Sequence, residues 1–189
     1  MSDRQIKKEV LATKSKNSST MVIIFLALAM VVSVVFAAQD KYAVQVPNGL
    51  AFSDFRGYED WPVVSVAQTE EVLKVIVANP TMIDAYRAGV PGNGKPFPDG
   101  SKIAKLQWKP KKSAEAPFSV NVPDTFTQAF FIEKDTKRFP DSGGWGYALV
   151  NYDAASDTYK PNGSGVNCGT ACHTAVKAKD YIFHPYQKR

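Results

Sequence analysis

"TFTQAFFIEKDTKRFPDSGGWGYALVNYD", residues 125–153, decides the fold. Its two ends, TFTQAFFIEK and GWGYALVNYD, carry the aromatic and β-branched residues of strands, and the link between them, DTKRFPDSGG, is turn chemistry with at most one helical turn. Upstream, SKIAKLQWK (residues 101–109) has period two, placing Ile103 and Lys105 on one face and Lys102, Ala104 and Leu106 on the other. EEVLKVIVANP (residues 70–80) alternates in the same way and ends at Pro80, so it also reads as a strand. PTMIDAYRAG (residues 80–89) opens on proline and stops at Gly89, the punctuation of a two-turn helix. A short helix is expected from about Phe52 to Asp60, ahead of Pro62, and a loop over VPGNGKPFPDG (residues 90–100). Downstream, residues 154–167 read as a loop leading into CGTACH (residues 168–173), and KDYIFHPY (residues 179–186) as a last strand. The class is therefore α+β, mainly antiparallel β-sheet with a few short helices and no internal repeat.

The N-terminus is set apart. Met21 to Ala38 is an apolar run preceded by Arg4, Lys7, Lys8, Lys14 and Lys16, and Val35 and Ala37 sit at the minus-three and minus-one positions of a signal-peptidase site. Residues 1–38 read as an export signal cleaved after Ala37 or Ala38, with an uncleaved membrane anchor through residues 21–38 as the alternative. Residues 39–189 are then the folded domain, in a periplasmic, oxidising setting. Residues 1–38 carry five Lys/Arg and two acids, so without them the formal charge falls from +5 to +2. No clustered basic face indicates nucleic acid, and KPKK (Lys109 to Lys112) reads as a solvated turn.

CGTACH holds both cysteines and one of the two histidines of the chain. The c-type haem signature is C-x-x-C-H, with two thioether anchors and an adjacent proximal histidine; here the spacing is one residue longer. Gly169 would supply backbone freedom for a bulge between Cys168 and Cys172. The alternative is a Cys168 to Cys172 disulfide with His173 beside it. For a sixth ligand, the segment after residue 38 offers only Met82 and His184. Both read as structural, Met82 inside the short helix and His184 on a strand beside Pro185. An open distal position follows, and open iron binds or transforms small molecules.

The segments KVIVANP, FPDGSKIAK, DTKRFPDSGGWGYALVNYD, the CGTACH motif and KDYIFHPY, in this order and spacing, resemble the cytochrome P460 family, which includes hydroxylamine-oxidising P460 cytochromes and the related β-sheet cytochromes c′. The resemblance implies haem c on Cys168 and Cys172, with His173 as the proximal metal ligand. It also implies that Lys105, reached from Phe97, Asp99 and Gly100, is the lysine that cross-links to a haem meso carbon to make haem P460. Lys102 should face the other way, and Lys74 falls where the family resembles itself in having an arginine near the haem. The family's distal acid has no counterpart in YKPNGSGVN; Asp157 is the nearest carboxylate, and Asp153 and Asp157 read as loop residues. The c′ branch implies distal phenylalanines, for which Phe126, Phe130, Phe131 and Phe183 are candidates. The implied function is redox chemistry of hydroxylamine or nitric oxide, with a soluble cytochrome c as electron acceptor, or else non-catalytic binding of diatomic gases (NO or CO). A homodimer is implied as well.

Overall fold

The computed structural model describes residues 38–162 and 165–187. The expected signal or anchor, residues 1–38, lies outside them except for Ala38. Six strands follow in chain order: β1 (Val63–Gln68), β2 (Leu73–Ala78), β3 (Lys102–Lys112), β4 (Asn121–Lys134), β5 (Trp145–Asp153) and β6 (Thr158–Pro161). They form one sheet in the order β1-β2-β3-β4-β5-β6, every neighbouring pair antiparallel. Among the described residues two α-helices accompany them, α1 (Pro80–Arg87) and α2 (Gly165–Thr174). The fold is thus α+β and mainly β, as the sequence indicates.

Register explains how this sheet makes two cores. Lys105 pairs with Ile76 on β2 and with Phe130 on β4, and Phe130 pairs with Leu149 on β5. One position along, Ala104 pairs with Val77 and Phe131, and Phe131 with Ala148. Paired residues share a face and successive residues alternate, so the first set lines one face and the second the other. The first face packs under α1 and the C-terminal segment, in a cluster with Met82, Tyr86, Phe97, Trp145 and Ile182. The second packs under the N-terminal segment, in a cluster with Val46, Leu50, Phe52, Phe55 and Tyr58.

Helix α1 starts where expected. Asn79 caps it by accepting from Met82 N–H (3.1 Å), and the same side chain accepts from Lys102 N–H (3.0 Å) and donates to Gly100 O (2.8 Å), tying the helix start to the start of β3. Met82 is fully buried, the structural role read for it.

Several expectations are corrected. The segment Phe52 to Asp60 is two 3-10 turns, Phe52–Phe55 and Tyr58–Asp60, divided at Gly57 with φ 80°. β1, which was not expected, follows Pro62 and pairs with β2. Lys109 to Lys112 is the solvated end of β3 rather than a turn, carried outward by pairing with β4 through Pro110 and Pro123. Residues 154–167 contain β6 and the start of α2. KDYIFHPY is no strand: Asp180 and Tyr181 have φ of 48° and 64°, which turns the chain across the sheet instead of along an edge.

Candidate haem site

The motif CGTACH lies on α2, not on a loop. Positions 168 and 172 are therefore one helical turn apart, so the four-residue spacing needs no bulge. Gly169 also has a different purpose from the one its conformational freedom suggests. A Cβ there would stand 2.6 Å from Tyr147 Cγ and 2.9 Å from Tyr147 Cβ, so glycine is what lets α2 lie against β5. Cys172 is a free thiol and solvent-exposed.

Beneath the last turn of α2 the first sheet face opens into a cavity of about 310 Å³. Its floor is Ile76, Ile103, Lys105, Gln128, Phe130, Ile132 and Leu149. Tyr86 of α1 forms one side, Gly169, Cys172 and His173 of α2 another, and Ile182, Phe183 and His184 of the C-terminal segment a third. The fold so brings three of the expected residues, Lys105, Cys172 and His173, to one chamber. Cys168 belongs to the same helix.

His173 is held in a defined tautomer. Its Nδ1 lies 2.6 Å from the carbonyl oxygen of Tyr181. A carbonyl only accepts, so Nδ1 carries the proton and Nε2 keeps its lone pair, the state a metal-ligating imidazole requires. The ring lies among Phe130 (centroids 6.1 Å apart, interplanar angle 23°), Tyr147 (5.2 Å, 52°) and Phe183 (5.0 Å, 75°). Burial pushes the imidazole pKa down, and the Lys105 and His184 charges add to this, against the pull of the Tyr181 carbonyl. The net shift is downward, which favours the neutral ring a metal ligand must be.

Lys105 is half-buried, with its ammonium 4.7 Å from the Phe130 ring centroid. Among the described residues it has no ion-pair partner. Burial lowers its pKa, Lys74 lowers it further, and Cys172 acts in the opposite sense. Lys74 stands on the same sheet face, paired with Gln107. Lys102 points the other way, as expected, donating to Asp54 O (2.6 Å) and pairing with Glu133 (3.1 Å).

The depressed pKa of Lys105 has a measurable consequence for the haem-free chain. Below the lowered value both folded and unfolded lysine are protonated and the burial penalty is complete. Between that value and the ordinary 10.5 the unfolded chain binds more protons, so stability rises with pH. Lys105→Met is expected to be more stable than the wild type at neutral pH, with the difference shrinking as pH approaches 10.5. Urea unfolding of both proteins across that range reads it, and a difference that stays flat contradicts it.

Phe130 and Phe183 line the cavity, whereas Phe131 faces the opposite core and Phe126 packs with Trp108, Tyr152 and Tyr159 away from it. Asp153 pairs with Lys160 (3.1 Å) and Asp157 accepts from the Tyr152 hydroxyl (2.8 Å), so both are hairpin residues outside the cavity. No carboxylate is among the described lining residues. His184 is the surprise. Its carbonyl has a structural part, accepting from the Tyr86 hydroxyl at 2.8 Å, while the residue also lines the cavity. The only sequence signal was its type: one of two histidines, close to the motif.

An apolar chamber with a free imidazole Nε2, a thiol at its rim and a second motif cysteine one turn away fits a covalently attached haem, and the class these features define is the c-type cytochrome. A family model described as Cytochrome P460 matches residues 55–184, and the chain belongs to that family. It is accordingly a mono-haem c-type cytochrome. No curated protein matches the chain.

Proposed function

We propose that Cys168 and Cys172 anchor the haem, that His173 is its proximal ligand, and that the protein acts in redox chemistry of small nitrogen compounds. The observation that carries this reading is the meeting of Lys105, Cys172 and His173 in one cavity with otherwise largely apolar walls. The bound haem supplies the redox-active iron and a site for a small ligand. The chain's own residues do the rest. Phe130, Leu149 and the isoleucines keep the inner wall apolar, with the exposed Phe183 at the mouth. Nδ1–H of His173 donates a hydrogen bond to the Tyr181 carbonyl, which orients the ring.

Between the two nitrogen compounds, the lining favours nitric oxide. Each proton lost from hydroxylamine must find an acceptor within hydrogen-bond reach. With no carboxylate among the described lining residues, that duty falls to the Lys105 amine and the His184 imidazole, both with lowered pKa. Nitric oxide is uncharged and binds without shedding a proton. The same walls support the second reading, a c′-like module that holds a diatomic gas without turnover.

The Lys105 amine is largely desolvated and, among the described residues, has no ion-pair partner; given a two-electron oxidant such as a peroxide, it could form a third tether to a haem meso carbon, with the meso hydrogen and one amine hydrogen leaving as protons. Peptide mass spectrometry of the matured protein is expected to find the Lys105 peptide joined to the haem carried by CGTACH. Haem on the cysteine peptide alone would transfer the reading to gas binding. Export to the periplasm, a homodimer and a soluble cytochrome c as electron acceptor complete the proposal.

A further inference from the structure

The Tyr181 carbonyl that fixes His173 belongs to a turn that is costly to form. Asp180 and Tyr181 are consecutive non-glycine residues with φ of 48° and 64°, a conformation L side chains avoid. Something must hold them there, and the structure shows what does. Asp180 Oδ1 accepts from Lys134 Nζ at 2.8 Å, and Asp180 Oδ2 accepts from Phe97 N–H at 2.7 Å. Lys134 also donates to Gly143 O at 2.8 Å and lies 4.9 Å from the Trp145 ring centroid. The pair is buried, with side-chain exposures of 4% for Lys134 and 12% for Asp180. On the other side, the Tyr181 N–H donates to Val176 O at 3.1 Å, and the Tyr181 ring fills the space a Cβ on Gly143 would occupy. The turn is thus gripped from β4, from the loop before β3 and from the entry to β5.

We propose that the buried Lys134–Asp180 pair is a positioning device for the proximal imidazole: it holds the left-handed turn that aims the Tyr181 carbonyl at His173 Nδ1, and so sets the donor strength of Nε2. A strong hydrogen bond from Nδ1–H makes the imidazole a better electron donor and favours the oxidised metal. Loosening the turn weakens that bond and favours the reduced metal. This inference rests on His173 being the iron ligand, as proposed above. Neither Lys134 nor Asp180 is among the cavity-lining residues, so their influence passes through Tyr181.

The test uses the matured holoprotein. Asp180→Asn keeps the shape of the side chain and the tolerance for positive φ but removes the charge that grips Lys134. Its haem midpoint potential is expected to rise by about 59 mV, a roughly tenfold change in the ferric-to-ferrous preference. The iron–histidine stretch of the ferrous form should fall in frequency. Lys134→Met should move both readouts the same way, and the double variant should add little to either single one. Gly143→Ala, which presses on the Tyr181 ring, provides a further variant should the charge changes prevent folding. Phe131→Leu, in the opposite core, should lower the melting temperature without moving the potential. An unchanged potential and stretch in Asp180→Asn, or an equal shift in Phe131→Leu, overturns the positioning role. Absence of an iron–histidine stretch from the wild type overturns the ligand assignment, and the inference with it.

Discussion

Thermal and urea unfolding of Phe131→Ala are expected to show a loss of about 3–5 kcal/mol. Phe131 is fully buried at the centre of the second sheet face, stacked on Phe55 at 4.5 Å and meeting Phe52 at 4.8 Å and Tyr58 at 5.8 Å. Its cross-strand neighbours on that face are Ala104 and Ala148, both fully buried. Alanines have no side chain with which to fill the space, so the cavity left behind stays open and its cost adds to the lost apolar burial. At roughly 2–4 °C per kcal/mol for a domain of this size, the melting temperature should drop by about 10 °C. A loss under about 1 kcal/mol would mean that the N-terminal segment collapses onto the sheet, contrary to this packing.

Gly169→Ala should be the next most damaging change, at about 2 kcal/mol, even though alanine is the better helix former by about 1 kcal/mol. The added Cβ meets Tyr147 at its Cβ, Cγ and Cδ1, between 2.6 and 2.9 Å away. These atoms lie next to the β5 backbone and cannot swing aside as the tip of a long side chain would. Helix α2 must move off the sheet, taking Cys172 and His173 with it. The expected results are a lower melting temperature and a lower yield of covalently attached haem. Tyr147→Ala combined with Gly169→Ala should recover part of the yield, a coupling that a double-mutant cycle measures. Additive losses would show that the two residues do not meet.

Much of this architecture is legible in the residues. β2 to β5 announce themselves by alternation bounded by Pro80, Gly100 and the Gly143–Gly144 turn, and α1 by its proline start and glycine stop. Three elements are not legible, each for its own reason. β1 is short and begins immediately after a proline, and β6, four residues long, carries too little apolar signal and exists through pairing with β5. The sequence of α2, GVNCGTACHT, combines two glycines with β-branched residues and reads as loop on propensity; docking against Tyr147 overrides that. The final segment looks like a strand because aromatic and apolar residues follow one another in YIFHPY. Nothing local reveals that Asp180 and Tyr181 turn left, since the groups that hold Asp180, Phe97 N–H and the Lys134 ammonium, lie 83 and 46 residues away.

The site divides the same way. Cys168, Cys172 and His173 stand out as a motif, and Lys105 through its place in the resemblance. The partner of His173 is a main-chain carbonyl, which no side-chain pattern can report. His184 has the right chemistry, but only the fold of the last ten residues places it in the cavity.

The strand order, in which each strand pairs with the one synthesised just before it, also has a meaning in time. Pairings between sequence neighbours close smaller loops than distant ones do, the longest here being residues 79–101 between β2 and β3, and so form faster. The sheet can therefore zip up progressively from β1 to β6. The segment that roofs the cavity must instead return to a much earlier part of the chain, as the contact between Phe97 N and Asp180 across 83 residues shows. The roof is the last wall to arrive, and until it does the cavity beneath α2 stays open on that side.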